Sequence, residues 1–195
     1  MRSERLQAFT DGVVAVIITI MVLEMHAPHD VTFQALVALW PIFMSYVLSY
    51  VYVGIYWSNH HHFAHLIREV TGGILWANLG LLFFLSLIPF TTAWAGEHGF
   101  APVPTALYGV SLLTTALAWN VLQVAIVHAQ GKQSVMKQAL GSDWKSKISP
   151  LLYLAGIVLA FVAPVVSYLL YALVAALWII PDRRVERFLK EFERN

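Results

Sequence analysis

Four histidines crowd one short stretch, Trp57-Ser58-Asn59-His60-His61-His62-Phe63-Ala64-His65. Imidazole is a common metal ligand, and its charge changes near neutral pH, so this run is the first place to look for chemistry. A membrane-bound diiron oxygenase needs several such clusters, and the other histidines, His26, His29, His98 and His128, are scattered. Neither a resident metal nor a cofactor is therefore expected. One ring is expected on Asp11 or on a backbone group, with the others at a membrane interface. The sequence offers no support for a pH response by these rings.

The second chemical feature is Asp11, in Arg5-Leu6-Gln7-Ala8-Phe9-Thr10-Asp11-Gly12, at the start of a long apolar run. An ionised group inside a membrane span costs about 2.5–3.5 kcal/mol on insertion scales, and it normally faces the bundle interior with a partner. Arg5 is not that partner on the same helix, because six residues turn a helix by about 600° and leave the two on different faces. The donors at matching depth are the Trp57–His62 segment and Asn78. Two readings stay open: a packing cluster that fixes the first helix, or part of a functional site. A helix that must be held rigidly makes the cluster indispensable in both.

Further along the same helix, Val16, Ile20 and Leu23 follow i, i+4, i+7 spacing, with Thr19 three residues after Val16. Such a stripe serves either lipid or helix packing, or a hydrophobic constriction where several copies of the helix surround an axis. Periodicity does not choose between them. Val53-Gly54-Ile55-Tyr56 faintly resembles a carbonyl-lined potassium filter, but it lies inside an uninterrupted apolar span with no re-entrant half-helix and no preceding threonine. No such filter loop is expected.

The elements that must hold these residues follow from composition. The chain has 195 residues, 59% hydrophobic and 12% charged, with mean hydropathy +0.69. Soluble domains carry roughly 25% charge, so this composition requires a lipid environment. Cysteine is absent, which removes disulfides, thiolate metal sites and cysteine nucleophiles. Six apolar stretches approach the length of about 20 residues needed to cross a bilayer: 8–25, 35–58, 72–95, 103–127, 148–163 and 166–180. The last two are separated only at Ala163-Pro164, which reads either as a tight turn or as a kink in one long helix.

Charge placement favours the turn. With six spans, Arg2 and Arg5, Arg68, Lys132, Lys137, Lys145 and Lys147, and Arg183, Arg184, Arg187, Lys190 and Arg194 all fall on one side. The opposite connections hold none of them, while Glu24, Asp30 and Glu97 sit at or in those connections. Basic residues near span ends favour the cytoplasm, so both termini are expected inside. Five spans would place the last five basic residues outside. A signal peptide is disfavoured by Asp11 in its n-region and by the poor cleavage site His26-Ala27-Pro28. The expected fold is an all-α integral membrane protein of the plasma membrane. Residues 1–182 form one six-helix domain, 129–147 a polar loop, and 183–195 a basic tail that is either a short interfacial helix or solvated chain. No nucleic-acid partner is expected.

Taken together, Arg5-x-x-x-Phe9-Thr10-Asp11-Gly12 and the apolar run to Leu23-Glu24 resemble the first-helix signature of the transmembrane-protein-175 potassium channel family. The resemblance continues through Leu39-Trp40-Pro41, Gly54, Trp57, His60-His61, Asn78 and Pro89-Phe90-Thr91. It implies a homotetrameric channel for K+ and other monovalent cations, with helix 1 of each subunit lining the pore and a modest preference for K+ over Na+. By motif, Val16, Ile20 and Leu23 fall at the apolar constriction and Thr19 at a polar ring that bears on selectivity. Arg5, Thr10, Asp11, Trp57, His60, His61 and Asn78 fall at a supporting hydrogen-bond network, and Glu24 is expected at the outer mouth. Thr10 stands where the family usually has serine, and Val16 where it has isoleucine or leucine. A secondary transporter of a small solute is the alternative, disfavoured because no inverted repeat and no matched pair of broken spans is visible.

Overall fold

Proline and threonine punctuate the apolar runs and decide where helices begin. A computed structural model of the chain describes residues 3–67, 69–131, 134 and 144–179. Its helices, in chain order, are α1 (Ser3–Leu23), α2 (Phe33–Ala38), α3 (Trp40–Ala64), α4 (Gly72–Ser86), α5 (Ile88–Glu97), α6 (Pro102–Gln130), α7 (Trp144–Leu159) and α8 (Pro164–Ile179). Thr32 and Thr71 cap α2 and α4, each hydroxyl accepting a backbone N–H from three residues on, Ala35 at 3.2 Å and Ile74 at 3.4 Å. Pro41, Pro89 and Pro102 stand in the first turns of α3, α5 and α6, where their missing N–H costs nothing. Gly131, at φ 68°, follows the end of α6 in a backbone region that favours glycine.

Two expected spans differ from single helices, and proline is the reason in both. The 35–58 stretch is α2 followed by α3, broken at Leu39 just before Trp40-Pro41. The 72–95 stretch is α4 followed by α5, broken at Leu87 before Ile88-Pro89. A proline inside a helix removes one backbone bond and its ring collides with the carbonyl four residues earlier. In addition, α3 runs to Ala64 rather than ending near 58, so the whole histidine run is helical. Hydropathy alone undervalues Ser58–His62, where Asn59 Nδ2 donates to the Ile55 carbonyl and His62 Nδ1 bonds the Ser58 carbonyl within the helix.

Pro164 opens α8 after a short turn at residues 160–163, and α7 and α8 form an antiparallel hairpin. The pairs Ser149–Trp178 and Gly156–Tyr171 fix its register. Among the described residues, three helical stretches are long and apolar enough to cross a membrane: Ser3–Leu23, Gly72–Glu97 and Pro102–Gln130. Pro164–Ile179 is apolar and shorter. The 183–195 tail, Arg2, Arg68, Lys132, Lys137 and most of the 129–147 loop lie outside the described residues.

The interior has two parts. The first joins α1 (Leu6, Val14, Ile17, Met21) to α3, α4 and α6 through Val53, Phe63, Ile74, Leu81, Leu85, Trp119 and Ile126. The second is built on tyrosines from four helices, Tyr52, Tyr108, Tyr153 and Tyr171, all at most 2% exposed. Buried phenols need partners in so dry a place. Ser49 bonds both Thr92 (2.6 Å) and the Tyr108 hydroxyl (2.9 Å), and Tyr52 donates to the Tyr171 carbonyl at 2.5 Å. The Tyr171 side chain occupies the space that a Cβ would take at Gly109 and Gly156: it would lie 2.0 Å from the phenol oxygen at the first and 2.4 Å from a ring carbon at the second.

Candidate functional site

At about 100° per residue, α1 divides into two faces. Leu6, Thr10, Val14, Ile17 and Met21 gather on one side and are buried against the rest of the chain. Phe9, Gly12, Val16, Ile20 and Leu23 gather on the opposite side and are exposed, Leu23 at 74% and Val16 at 54%. Thr19 lies at the edge of this open face, and its hydroxyl donates to the Val16 carbonyl at 2.8 Å. Glu24 is exposed just beyond the end of α1, with its N–H on the Ile20 carbonyl.

The buried face is held by a polar network near the α1 N-terminus. Asn78 of α4 donates from Nδ2 to the Thr10 hydroxyl at 3.0 Å, leaving its Oδ1 as an acceptor. His60 Nε2 lies 2.9 Å from that oxygen and 3.5 Å from Thr10, so the proton sits on Nε2. All three side chains are at most 3% exposed. His60 Nδ1 is buried with no partner among the described residues. A second layer lies closer to solvent, where the Trp57 indole N–H donates to Asp11 at 2.9 Å. Gln7 of α1 bonds His61 Nδ1 at 2.6 Å, and His61 Nε2 lies 3.4 Å from His65 Nε2.

The structure thus joins Thr10, Asp11, Trp57, His60, His61 and Asn78, though in two layers rather than around the carboxylate. Asp11 takes the indole and no histidine, because α3 presents residues 57, 61 and 65 on one side and His60 on another. His62 turns back to its own helix. Arg5 is exposed and makes no hydrogen bond or ion pair among the described residues, so it stands apart from the network expected of it. Gln7 was not anticipated; the signal for it is its i+3 and i+4 spacing to Thr10 and Asp11.

These contacts also sort the helix ends. The α1 N-terminus meets the α3 C-terminus through Gln7 and His61. Gln130 at the end of α6 donates to the Leu66 carbonyl at 2.5 Å. Asn59, Ser149 and Trp178 line one small cavity, which brings the α7 N-terminus and α8 C-terminus to the same end of the bundle. Of the described basic residues, Arg5 lies in the first turn of α1 and Lys145 and Lys147 lie in the first turn of α7, both at this end.

Residues 5–89 match the family described as endosomal/lysosomal potassium channel TMEM175. A potassium channel of a Chryseobacterium species is 46% identical over 191 residues, 98% of this chain and 100% of that one. A potassium channel of Streptomyces collinus is 32% identical over 128 residues, 62% of each. The crystal structure of a lysosomal potassium-selective channel TMEM175 homologue from Chamaesiphon minutus superposes with a TM-score of 0.79 at 27% identity, covering 91% of this chain and 96% of that one. The residues 5–89 so matched run from the start of α1 to the α4–α5 break and contain both the anchored and the open face of α1. The chain belongs to the TMEM175 family of potassium channels, a family of ion channels and not of enzymes.

Proposed function

We propose that four copies of this chain surround an axis with the open face of α1 lining a K+-permeable pore. The single observation that carries this reading is the division of α1, anchored by buried polar bonds on one side and left as an uncovered stripe of Phe9, Val16, Ile20 and Leu23 on the other. Each subunit crosses the membrane six times with both termini in the cytoplasm, and no re-entrant loop contributes a filter. The gathering of the described basic residues, Arg5, Lys145 and Lys147, at one end of the bundle supports that orientation, and a bacterial relative supports a place in the plasma membrane.

Rings of Val16, Ile20 and Leu23 form a short hydrophobic constriction whose dewetting closes the path and whose widening opens it. Val16 is smaller than the residue usual at its position, so the narrowest ring falls at Ile20 or Leu23. The Thr19 hydroxyl spends its proton on the Val16 carbonyl, which leaves oxygen lone pairs for a cation. Four neutral oxygens replace only part of a hydration shell, so K+ is preferred over Na+ only modestly. Glu24 gathers cations at the outer mouth, weakly per residue and additively around the ring. The network of Thr10, Asp11, Trp57, His60, His61 and Asn78 sets the rotation of α1. The transporter alternative is left without a supporting observation.

The test is K+ flux through liposomes holding the reconstituted protein. Val16→Ala, Ile20→Ala and Leu23→Ala are expected to change flux several-fold, with the largest change at the narrowest ring. Unchanged flux in all three, with the assembly intact by native mass measurement, refutes the pore assignment. An intact assembly of other than four chains refutes the tetramer.

A further inference from the structure

The channel reading makes no use of His65, yet its ring is set in a specific relation to His61. Both residues are exposed, one helical turn apart on α3, and their Nε2 atoms lie 3.4 Å apart with the rings at 82°. Two nitrogens on a tetrahedral zinc, each about 2.0–2.1 Å from the metal, stand about 3.3–3.4 Å from one another. The two rings already have the separation that a shared metal ion requires.

We propose that His61 and His65 form a two-imidazole clip for a borderline divalent metal such as Zn2+, with Gln7 of α1 as its positioning residue. As the hydrogen bonds stand, the Gln7 amide N–H donates to His61 Nδ1, so His61 carries its proton on Nε2 and donates it toward the lone pair of His65 Nε2. Metal binding moves the His61 proton from Nε2 to Nδ1, with no net proton gained or lost. The Gln7 amide then turns so that its oxygen accepts Nδ1–H, the arrangement that orients most histidine ligands of metals. His65 needs no such exchange, because its Nε2 lone pair already faces the site. The other coordination positions fall to water. No group of three or more His, Cys, Asp and Glu residues suited to a metal occurs among the described residues, so the clip is an exchangeable site and not a structural one.

The geometry makes the clip more than a surface pair, because Gln7 belongs to the helix whose open face is assigned to the pore. The metal therefore binds one orientation of the Gln7 side chain in preference to another, and through it one setting of the α1 N-terminus. The site itself stands independently of the pore assignment, since it is tested by metal retention and not by flux.

The experiment is equilibrium dialysis of the purified full-length protein against ZnCl2 after chelator treatment, with zinc per chain measured by elemental analysis and affinity by calorimetry. About one zinc per chain is expected, with His65→Gln weakening it at least tenfold and the exposed control His128→Gln leaving it unchanged. Gln7→Leu should weaken binding about tenfold and Gln7→Glu should tighten it, since a carboxylate is the stronger acceptor for Nδ1–H. Unaltered affinity in His65→Gln, or no zinc retained by the wild-type protein, overturns the site. A Gln7→Glu affinity equal to that of wild type, with His65→Gln still weakened, overturns the role of Gln7. Because both side chains are exposed, an unchanged elution profile on gel filtration separates loss of metal from loss of fold.

Discussion

The two halves of this molecule use buried polar groups for opposite ends. Around α1, Thr10, His60 and Asn78 bond across three helices and hold one face of a helix whose other face is exposed. Around Tyr171, the phenols of Tyr52, Tyr108 and Tyr153, the Ser49 and Thr92 hydroxyls and the glycines at 109 and 156 form a buried core. In lipid there is little hydrophobic drive between helices, so close packing and interhelical hydrogen bonds must do the assembling in both halves. Both halves leave apolar residues exposed, Val16 and Leu23 on α1 and Leu154, Val158, Leu169 and Leu173 on α7 and α8; the difference is that the α1 bonds gather near one end of a helix whereas the tyrosine bonds lie within a core. Polar bonds at α1 orient a surface; polar bonds at Tyr171 complete a scaffold.

Substitutions should separate the two roles, and the largest effect belongs to the scaffold. Tyr171→Ala empties a fully buried ring site and is expected to cost about 3–5 kcal/mol, read as loss of folded protein and a lower midpoint in a thermal melt, with ion preference unchanged in whatever survives. Asn78→Leu removes the amide that bonds both His60 Nε2 and the Thr10 hydroxyl and leaves those two only their long 3.5 Å contact, at about 1–3 kcal/mol. Unlike Tyr171→Ala, it should also alter K+ flux in protein that remains assembled; an unaltered flux would merge the two halves into one scaffold. Gly156→Ala drives a methyl into the Tyr171 ring and should cost about 1–3 kcal/mol, again in stability alone. Trp57→Phe removes the half-exposed bond to Asp11 and should cost about 1 kcal/mol or less while shifting flux measurably. Thr10→Ser keeps the hydroxyl that Asn78 reaches and should leave both flux and melting midpoint within error.

The first half was far more legible in the sequence than the second, for a physical reason. A carboxylate in an apolar run is costly enough to demand a partner, so Asp11 announced itself, and with it the Trp57–His62 segment and Asn78. Which donor took the carboxylate was not legible: Trp57 and His61 share one side of α3 a turn apart, and Asp11 takes the first while Gln7 takes the second. The tyrosines of the second half gave no such warning. Tyr52, Tyr108, Tyr153 and Tyr171 read as ordinary aromatic residues of apolar spans, and only their convergence from four helices makes them a cluster. The breaks at Leu39 and Leu87 were written in Pro41 and Pro89, yet averaging hydropathy over long windows smooths over a single residue. The turn at Pro164 was legible because charge, and not hydropathy, decided it.

Among the described residues, the hydrogen bonds that hold α1 to its neighbours fall at Gln7, Thr10 and Asp11, while beyond Val14 the helix is held by apolar contact through Ile17 and Met21. Mechanically this is a beam clamped at one end. From Asp11 to Leu23 the lever arm is 12 residues, about 18 Å at 1.5 Å per residue. A tilt of about 5° at the clamp therefore sweeps Leu23 sideways by roughly 1.6 Å, and four such beams moving together alter the proposed aperture by about 3 Å, close to the diameter of one water. In the proposed pore, stiffness concentrated near Asp11 would thus convert a small rotation there into the admission or exclusion of a single water layer near Leu23.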